Sequence, residues 1–195
     1  MTVSNKINRR PFVAALLAQR NGALVIPGLG SPTWDCSAAG DSPEYLYSWG
    51  GMGLAVPTAL GLALAQPQRR VLALTGDGEM LMGIGSLATI GVQQPKNLTV
   101  AVIDNERYGE TGMQATHTAH GVDMAAVAKA CGFLNSRIIL KNTSLQKIVH
   151  ETPGPNFLQI KVAAEKLPLV LPPHDGVHLK ERFRKALADV LPKKR

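Results

Sequence analysis

The sequence predicts an α/β fold, doubly wound, with a mostly parallel sheet and helices on both faces, and a single domain over residues 1–195. Three observations carry this expectation. Two apolar runs rich in β-branched residues, 71–74 and 98–103, each end in a polar cluster. The stretch 80–92 between them has the apolar spacing of a helix with one buried face, at Leu81, Ile84, Leu87, Ala88 and Gly91. Further strand-like runs alternate with helix-like ones along the rest of the chain. A length of 195 residues, 45% of them hydrophobic and 18% charged, supplies one sizeable core.

Taken in order, residues 8–20 read as a helix with Phe12, Leu16 and Leu17 on one side and Gly22 as its stop. Residues 23–26 form a short buried strand that ends in the glycine turn Pro27-Gly28-Leu29-Gly30, either a plain β-to-α connection or a ligand-binding turn. Ser48 to Pro57 is broken by Gly50, Gly51 and Gly53 around Met52 and leads into a helix at 58–66. After the central unit, 108–117 is a polar, glycine-broken loop. Asp123 caps a helix running to 132, 137–140 is a strand, 143–152 a helix and 156–162 a strand. A proline-bearing connector at 167–173 precedes a closing helix, 176–191, with a basic, exposed side.

The polar clusters are Thr75-Gly76-Asp77-Gly78-Glu79 and Asp104-Asn105-Glu106-Arg107-Tyr108-Gly109, each at the carboxyl end of a strand. Open α/β sheets bind ligands at that edge. Gly76 and Gly78 let main-chain N–H groups approach an anion, and the helix that follows begins with unpaired donors and a positive dipole end. A diphosphate suits such a turn, but Asp77 would repel it unless a cation lay between them. Mg2+ meets that need, being hard and commonly held by one or two side chains plus phosphate oxygens. Asn105, 28 positions further on, offers a second oxygen, and a turn carbonyl a third. The plainer alternative is an ordinary turn whose Asp77 caps the next helix.

Gly76-Asp77-Gly78, followed after a helix and a strand by Asp104-Asn105 and by Tyr108-Gly109, resembles the signature of the thiamine diphosphate-dependent enzymes. The resemblance runs from about residue 23 to 162. Through Gly85-Ser86-Leu87-Ala88-Thr89-Ile90 and Pro95-Lys96-Asn97-Leu98-Thr99 it extends in particular to the β subunits of sulfopyruvate and phosphonopyruvate decarboxylases. It implies a diphosphate-binding domain with Asp77, the Asn105 side chain and the Arg107 carbonyl as Mg2+ ligands. The cofactor-binding set it implies is Gly28, Leu29, Gly51, Met52, Gly76, Asp77, Gly78, Glu79, Asn105, Arg107, Tyr108 and Gly109. Met52 stands where the family places a bulky residue that bends the cofactor, bringing its aminopyrimidine amine beside the reactive thiazolium carbon; gap-filling in the core is the other role open to such a methionine. Glu79 replaces a common Ser, and an acid beside a diphosphate is unfavourable unless it turns away.

The resemblance further implies decarboxylation of a 2-oxo acid. The carboxyl group that activates the pyrimidine lies in the family on a separate pyrimidine-binding domain, for which this chain is too short. The expectation is therefore a homo- or hetero-oligomer with a pyrimidine-binding α subunit as partner, and no catalytic residue is assigned within this chain. Acetolactate synthase-like carboligation, 2-oxo acid oxidation and a cofactor-binding regulatory subunit without turnover remain alternatives. On the substrate side, Glu110 and His117 are candidates, although Thr111 occupies the position where some relatives carry a functional Glu. His117 and His120 also read as loop histidines satisfied by water or main chain.

The formal net charge of +7 is concentrated at the ends: residues 1–20 hold four basic residues and no acidic one, and 180–195 hold seven against Glu181 and Asp189, leaving the middle at −2. Aromatic residues make up only 5%, so a nucleic-acid reader is not expected. No run is long enough to span a membrane and residues 1–10 lack a signal-peptide core, which predicts a cytoplasmic protein. Cys36 and Cys131 have neither disulfide nor zinc-site spacing.

Overall fold

Five strands pair side by side: β1 (Leu24–Pro27), β2 (Val71–Gly76), β3 (Leu98–Asp104), β6 (Asn135–Ile139) and β7 (Asn156–Lys161). Every pairing is parallel, in the order β1-β2-β3-β7-β6. The structure is a computed structural model and describes residues 6–48, 50–145, 149 and 151–188.

Because side chains alternate along a strand, β1, β2, β3 and β7 each feed two cores, while β6 gives only Ile139 to one of them. Leu24 and Ile26 join Val100, Val102 and Phe157 under α3 (Ala55–Ala65), α5 (Ser86–Gln93) and α6 (Met124–Ala130). Val25, Leu72, Leu74, Ala101 and Ile103 meet α1 (Arg9–Ala18) and α2 (Ser31–Ala38) on the other face. Burying one such Leu, Ile or Phe contributes about 1.5–3 kcal/mol, and cover on both faces explains why the central strands β2 and β3 read as apolar runs. The doubly wound expectation holds.

Register then aligns the strand ends. Pro27 lies opposite Leu74, Gly76 opposite Ile103, and Asp104 opposite Lys161. The residues that follow β1, β2 and β3 therefore converge on one edge.

Some elements differ from the sequence reading. The single helix expected at 80–92 is two, α4 (Asp77–Met82) and α5, broken at 83–85. A Cβ on Gly83 would stand 2.5 Å from the Gly53 carbonyl oxygen, so the chain turns where it backs onto the Gly53 segment. Helix α2, unforeseen, starts after Gly30 (φ 71°) with Pro32 in its first turn, and α3 begins at Ala55 rather than 58.

The loop after β3 is more ordered than expected. It forms a short antiparallel hairpin, β4 (Arg107–Tyr108) with β5 (Gln114–Ala115), then a 3-10 turn, His117–His120. Asp123 caps α6 as foreseen, its Oδ1 accepting the Ala126 N–H at 2.8 Å. The helix expected at 143–152 includes 146–148 and 150, outside the described residues, as are 189–191 of the closing helix, α7 (Gly176–Ala188). Among the described residues no helix is long and apolar enough to cross a membrane.

Candidate functional site

The converging strand ends line a cleft of about 130 Å3. Its walls are Leu29 and Ser31 after β1, Met52, residues 76–79 after β2, and Asn105 with 107–111 after β3. A larger hollow of about 430 Å3 lies between α1 and residues 142–145, but among the described residues no ionisable side chain lines it.

Asp77 opens α4 and is 2% exposed. Its Oδ2 accepts from Thr116 Oγ1 at 2.5 Å, with Thr118 Oγ1 at 3.4 Å. Burial raises its pKa to about 6; the Thr116 hydrogen bond opposes the rise and the nearby Asp104 charge adds to it. Asp104 is fully buried and well held: Thr118 Oγ1 donates to its Oδ1 at 2.8 Å, Gln159 Nε2 to its Oδ2 at 2.6 Å, and Lys161 Nζ lies 2.8 Å away. Lys161 also pairs with Glu106 at 2.9 Å, and these two partners lift its pKa although burial alone would lower it. Among the described residues no ion pair reaches Asp77.

A buried carboxylate near a second one, without a cation of its own, suits a divalent ion. Among the described residues no cluster of three or more His, Cys, Asp or Glu could hold a metal. Asp77 and Asn105 bring a carboxylate and an amide oxygen to the lining of this cleft. That all-oxygen set fits Mg2+ completed by phosphate and water. Asn105 Oδ1 accepts the Arg107 N–H at 2.9 Å, which fixes the 105–107 turn.

The two glycines of the turn differ. A Cβ at Gly76 would meet nothing within 4 Å, which leaves its peptide open to a ligand. At Gly78 it would stand 2.5 Å from Tyr108 Cε1, so this glycine admits the tyrosine ring against α4. Met52 lines the cleft at 37% exposure, too open for core filler. Leu29, Arg107, Tyr108 and Gly109 line it as well. Gly28 sits buried behind it, and Gly51 faces a neighbouring hollow beside Leu54.

Glu79 lines the cleft in part, but its carboxylate is engaged within the protein, accepting from Thr75 Oγ1 at 2.7 Å. Burial raises its pKa, opposed by Thr75 and by the main-chain N–H groups of Ala55, Gly53 and Leu29. Glu110 is exposed at the rim and accepts from Trp34 Nε1 at 3.2 Å. His117 and His120 are exposed on the 3-10 turn, and neither lines the cleft.

Sequence reasoning missed Thr75, Thr116, Thr118, Gln159 and Lys161, which hold the site's carboxylates. The pair Thr116-x-Thr118 lies at the end of the polar, glycine-broken loop and is visible in the sequence, whereas Gln159 and Lys161 reach Asp104 only through the β3–β7 pairing.

Residues 36–160 match the family described as thiamine pyrophosphate enzyme, C-terminal TPP binding domain. The chain is 38% identical over 162 residues to the sulfopyruvate decarboxylase subunit beta of Methanothermobacter thermautotrophicus, covering 83% of this chain and 85% of that protein. It is 36% identical over 146 residues to the phosphonopyruvate decarboxylase of Streptomyces viridochromogenes, covering 72% of this chain and 36% of that one. A solved structure, the thiamine diphosphate-dependent 4-hydroxybenzoylformate decarboxylase of Rhodococcus jostii RHA1, superposes with a TM-score of 0.69 at 18% identity, over 86% of this chain and 34% of that chain. The chain thus spans most of the first relative's length and about a third of each of the other two.

Proposed function

The chain belongs to the thiamine pyrophosphate enzyme family, whose C-terminal TPP-binding domain it carries, and on that premise we propose that it is the diphosphate-binding subunit of a Mg2+-dependent 2-oxo acid decarboxylase acting in the cytoplasm. The observation that carries this reading is the buried Asp77 carboxylate, uncompensated by any ion pair among the described residues, beside Asn105 and the open Gly76 peptide. Likeness to a protein named as a decarboxylase β subunit, over most of that protein's length, supports the reaction class.

Asp77, Asn105 Oδ1 and the Arg107 carbonyl would hold Mg2+, which offsets the charge of Asp77 against a diphosphate. Thr116 orients Asp77, while Thr118, Gln159 and Lys161 hold Asp104 and so the 104–107 turn. Met52 presents an apolar surface to the rings, and Glu110 with Trp34 forms the rim that meets substrate. Thiamine diphosphate, when bound, supplies the electron sink that decarboxylation requires.

A cleft of about 130 Å3 is small for an organic ligand, since pockets enclosing one usually offer roughly 300–1,000 Å3. The remaining wall is assigned to a pyrimidine-binding α subunit, which also brings the carboxyl group that activates the cofactor. The substrate is a 2-oxo acid of the sulfopyruvate or phosphonopyruvate kind. Carbon dioxide release from sulfopyruvate, phosphonopyruvate and pyruvate, measured with and without such an α subunit, tests this reading. Turnover that requires both chains supports it, and full turnover by this chain alone overturns the need for a partner.

A further inference from the structure

Glu79 reaches into a gap between three segments that are distant in sequence. A Cβ on Gly28 would land inside its carboxylate, so the β1 turn rests directly on it. The Gly28 peptide is otherwise pinned by its N–H to the Leu74 carbonyl at 2.8 Å and by Thr33 Oγ1 on its carbonyl at 2.6 Å. Oε2 takes the Thr75 hydroxyl of β2. Oε1 has no hydrogen bond of normal geometry, yet the N–H groups of Leu29, Gly53 and Ala55 act on the same carboxylate.

Ala55 is the first residue of α3, whose own N-cap, Leu54, supplies no side-chain cap. An anion there faces the unpaired N–H donors and positive dipole end of an 11-residue helix. Helix α4 also touches this segment at its other end, where Gly83 backs onto Gly53. The Met52 loop is therefore held by α4 from both ends.

We propose that Glu79 is a positioning residue that couples the Gly28-Leu29 turn to the Gly53–Ala55 segment, so that one carboxylate sets the two walls of the cleft relative to each other. Its consequence for cofactor affinity rests on the functional reading above; the coupling itself does not. Glu79 acts on the cofactor through Leu29 and Met52 rather than by touching the diphosphate.

The test is hydrogen exchange on the cofactor-free full chain, followed by titration with thiamine diphosphate and Mg2+, for the unaltered chain, Glu79→Ala, Glu79→Gln, Gly28→Ala and the double variant Gly28→Ala/Glu79→Ala. Glu79→Ala should speed exchange at the Leu29, Gly53 and Ala55 amides together, by about tenfold, and leave β3 amides unchanged. Cofactor affinity should fall by about tenfold in Glu79→Ala and by less in Glu79→Gln, which keeps the span and an acceptor for Thr75. Gly28→Ala should be damaging alone, and combining it with Glu79→Ala should cost less than the sum of the two. Should Glu79→Ala not fold, Glu79→Gln decides the matter: faster exchange at both segments supports the coupling. Faster exchange at one segment only, no change, or strictly additive costs overturns it. An unaltered chain that ignores thiamine diphosphate even with a pyrimidine-binding α subunit present would count against the functional reading, while exchange would still decide the role of Glu79.

Discussion

Thr116 donates its hydroxyl to Asp77 Oδ2 at 2.5 Å, joining the segment after the hairpin to the turn 39 positions earlier. Both residues are buried, and the same hydroxyl stands 2.9 Å from Thr118 Oγ1, which in turn serves Asp104. Two buried carboxylates at the ends of adjacent strands are thus spaced by a pair of threonines. Thr116→Val keeps the shape and removes the donor. It should destabilise the chain by about 1–3 kcal/mol, while Thr116→Ser costs much less. Urea unfolding of the three proteins reads the difference directly.

Asp77 is costly to the chain without its cation. Its folded pKa, raised to about 6, lies above the unfolded value, so proton binding stabilises the fold at low pH and that contribution disappears as pH rises through 6. Asp77→Asn should therefore raise stability at pH 8 in the absence of metal, on the order of 1–3 kcal/mol, and flatten the pH dependence over pH 4–8, most of which falls between about 4 and 6. The same variant should lose metal-dependent cofactor binding. Melting curves in EDTA across that pH range check the first half, and titration checks the second.

Glycines with and without neighbours should respond in opposite ways. A Cβ at Gly83 would press on the Gly53 carbonyl, so Gly83→Ala should cost about 1–3 kcal/mol and disturb the Met52 segment. Gly61 lies exposed inside α3 with nothing within 4 Å of a Cβ, and Gly61→Ala should stabilise by about 0.5–1 kcal/mol. Thermal unfolding of the two variants separates the cases.

The closing helix adds an acid-sensitive tie. Arg182 of α7 bonds both carboxylate oxygens of Asp41, and Tyr47 donates to Oδ1 at 3.0 Å. Burial would raise the Asp41 pKa, but Arg182 and Tyr47 outweigh it and hold it below its ordinary value. With the folded value depressed, the tie is fully present above the usual carboxylate range and is lost as pH falls through the lowered value, below about pH 4. Arg182→Met should lose less stability than the unaltered chain between pH 7 and 3, and a denaturation series over that range measures it.

The sheet was legible because its strands are buried on both faces, so 71–74 and 98–103 stand out as apolar runs bounded by glycine and acid. Asp77 and Asn105 were legible for the same reason: a strand end is where polarity returns. Periodicity failed at 80–92 because the apolar spacing continues through Gly83, and only the packing of Gly83 on Gly53 breaks the helix. Helix α2 offered no apolar stripe, only Ser31-Pro32. The holders of Asp104 could not be read locally, since Gln159 and Lys161 arrive through pairing with a strand more than fifty positions away. Glu79 looked like an acid misplaced beside a phosphate, and its burial beneath Gly28 depends on the meeting of three segments.

The most direct measurement is calorimetric titration of the purified chain with thiamine diphosphate, in Mg2+ and in EDTA, beside Asp77→Ala. Saturable binding that needs the metal and vanishes with Asp77 is the predicted result. Binding that survives EDTA, or that Asp77→Ala leaves unchanged, would contradict the assignment of this cleft as the metal–diphosphate site.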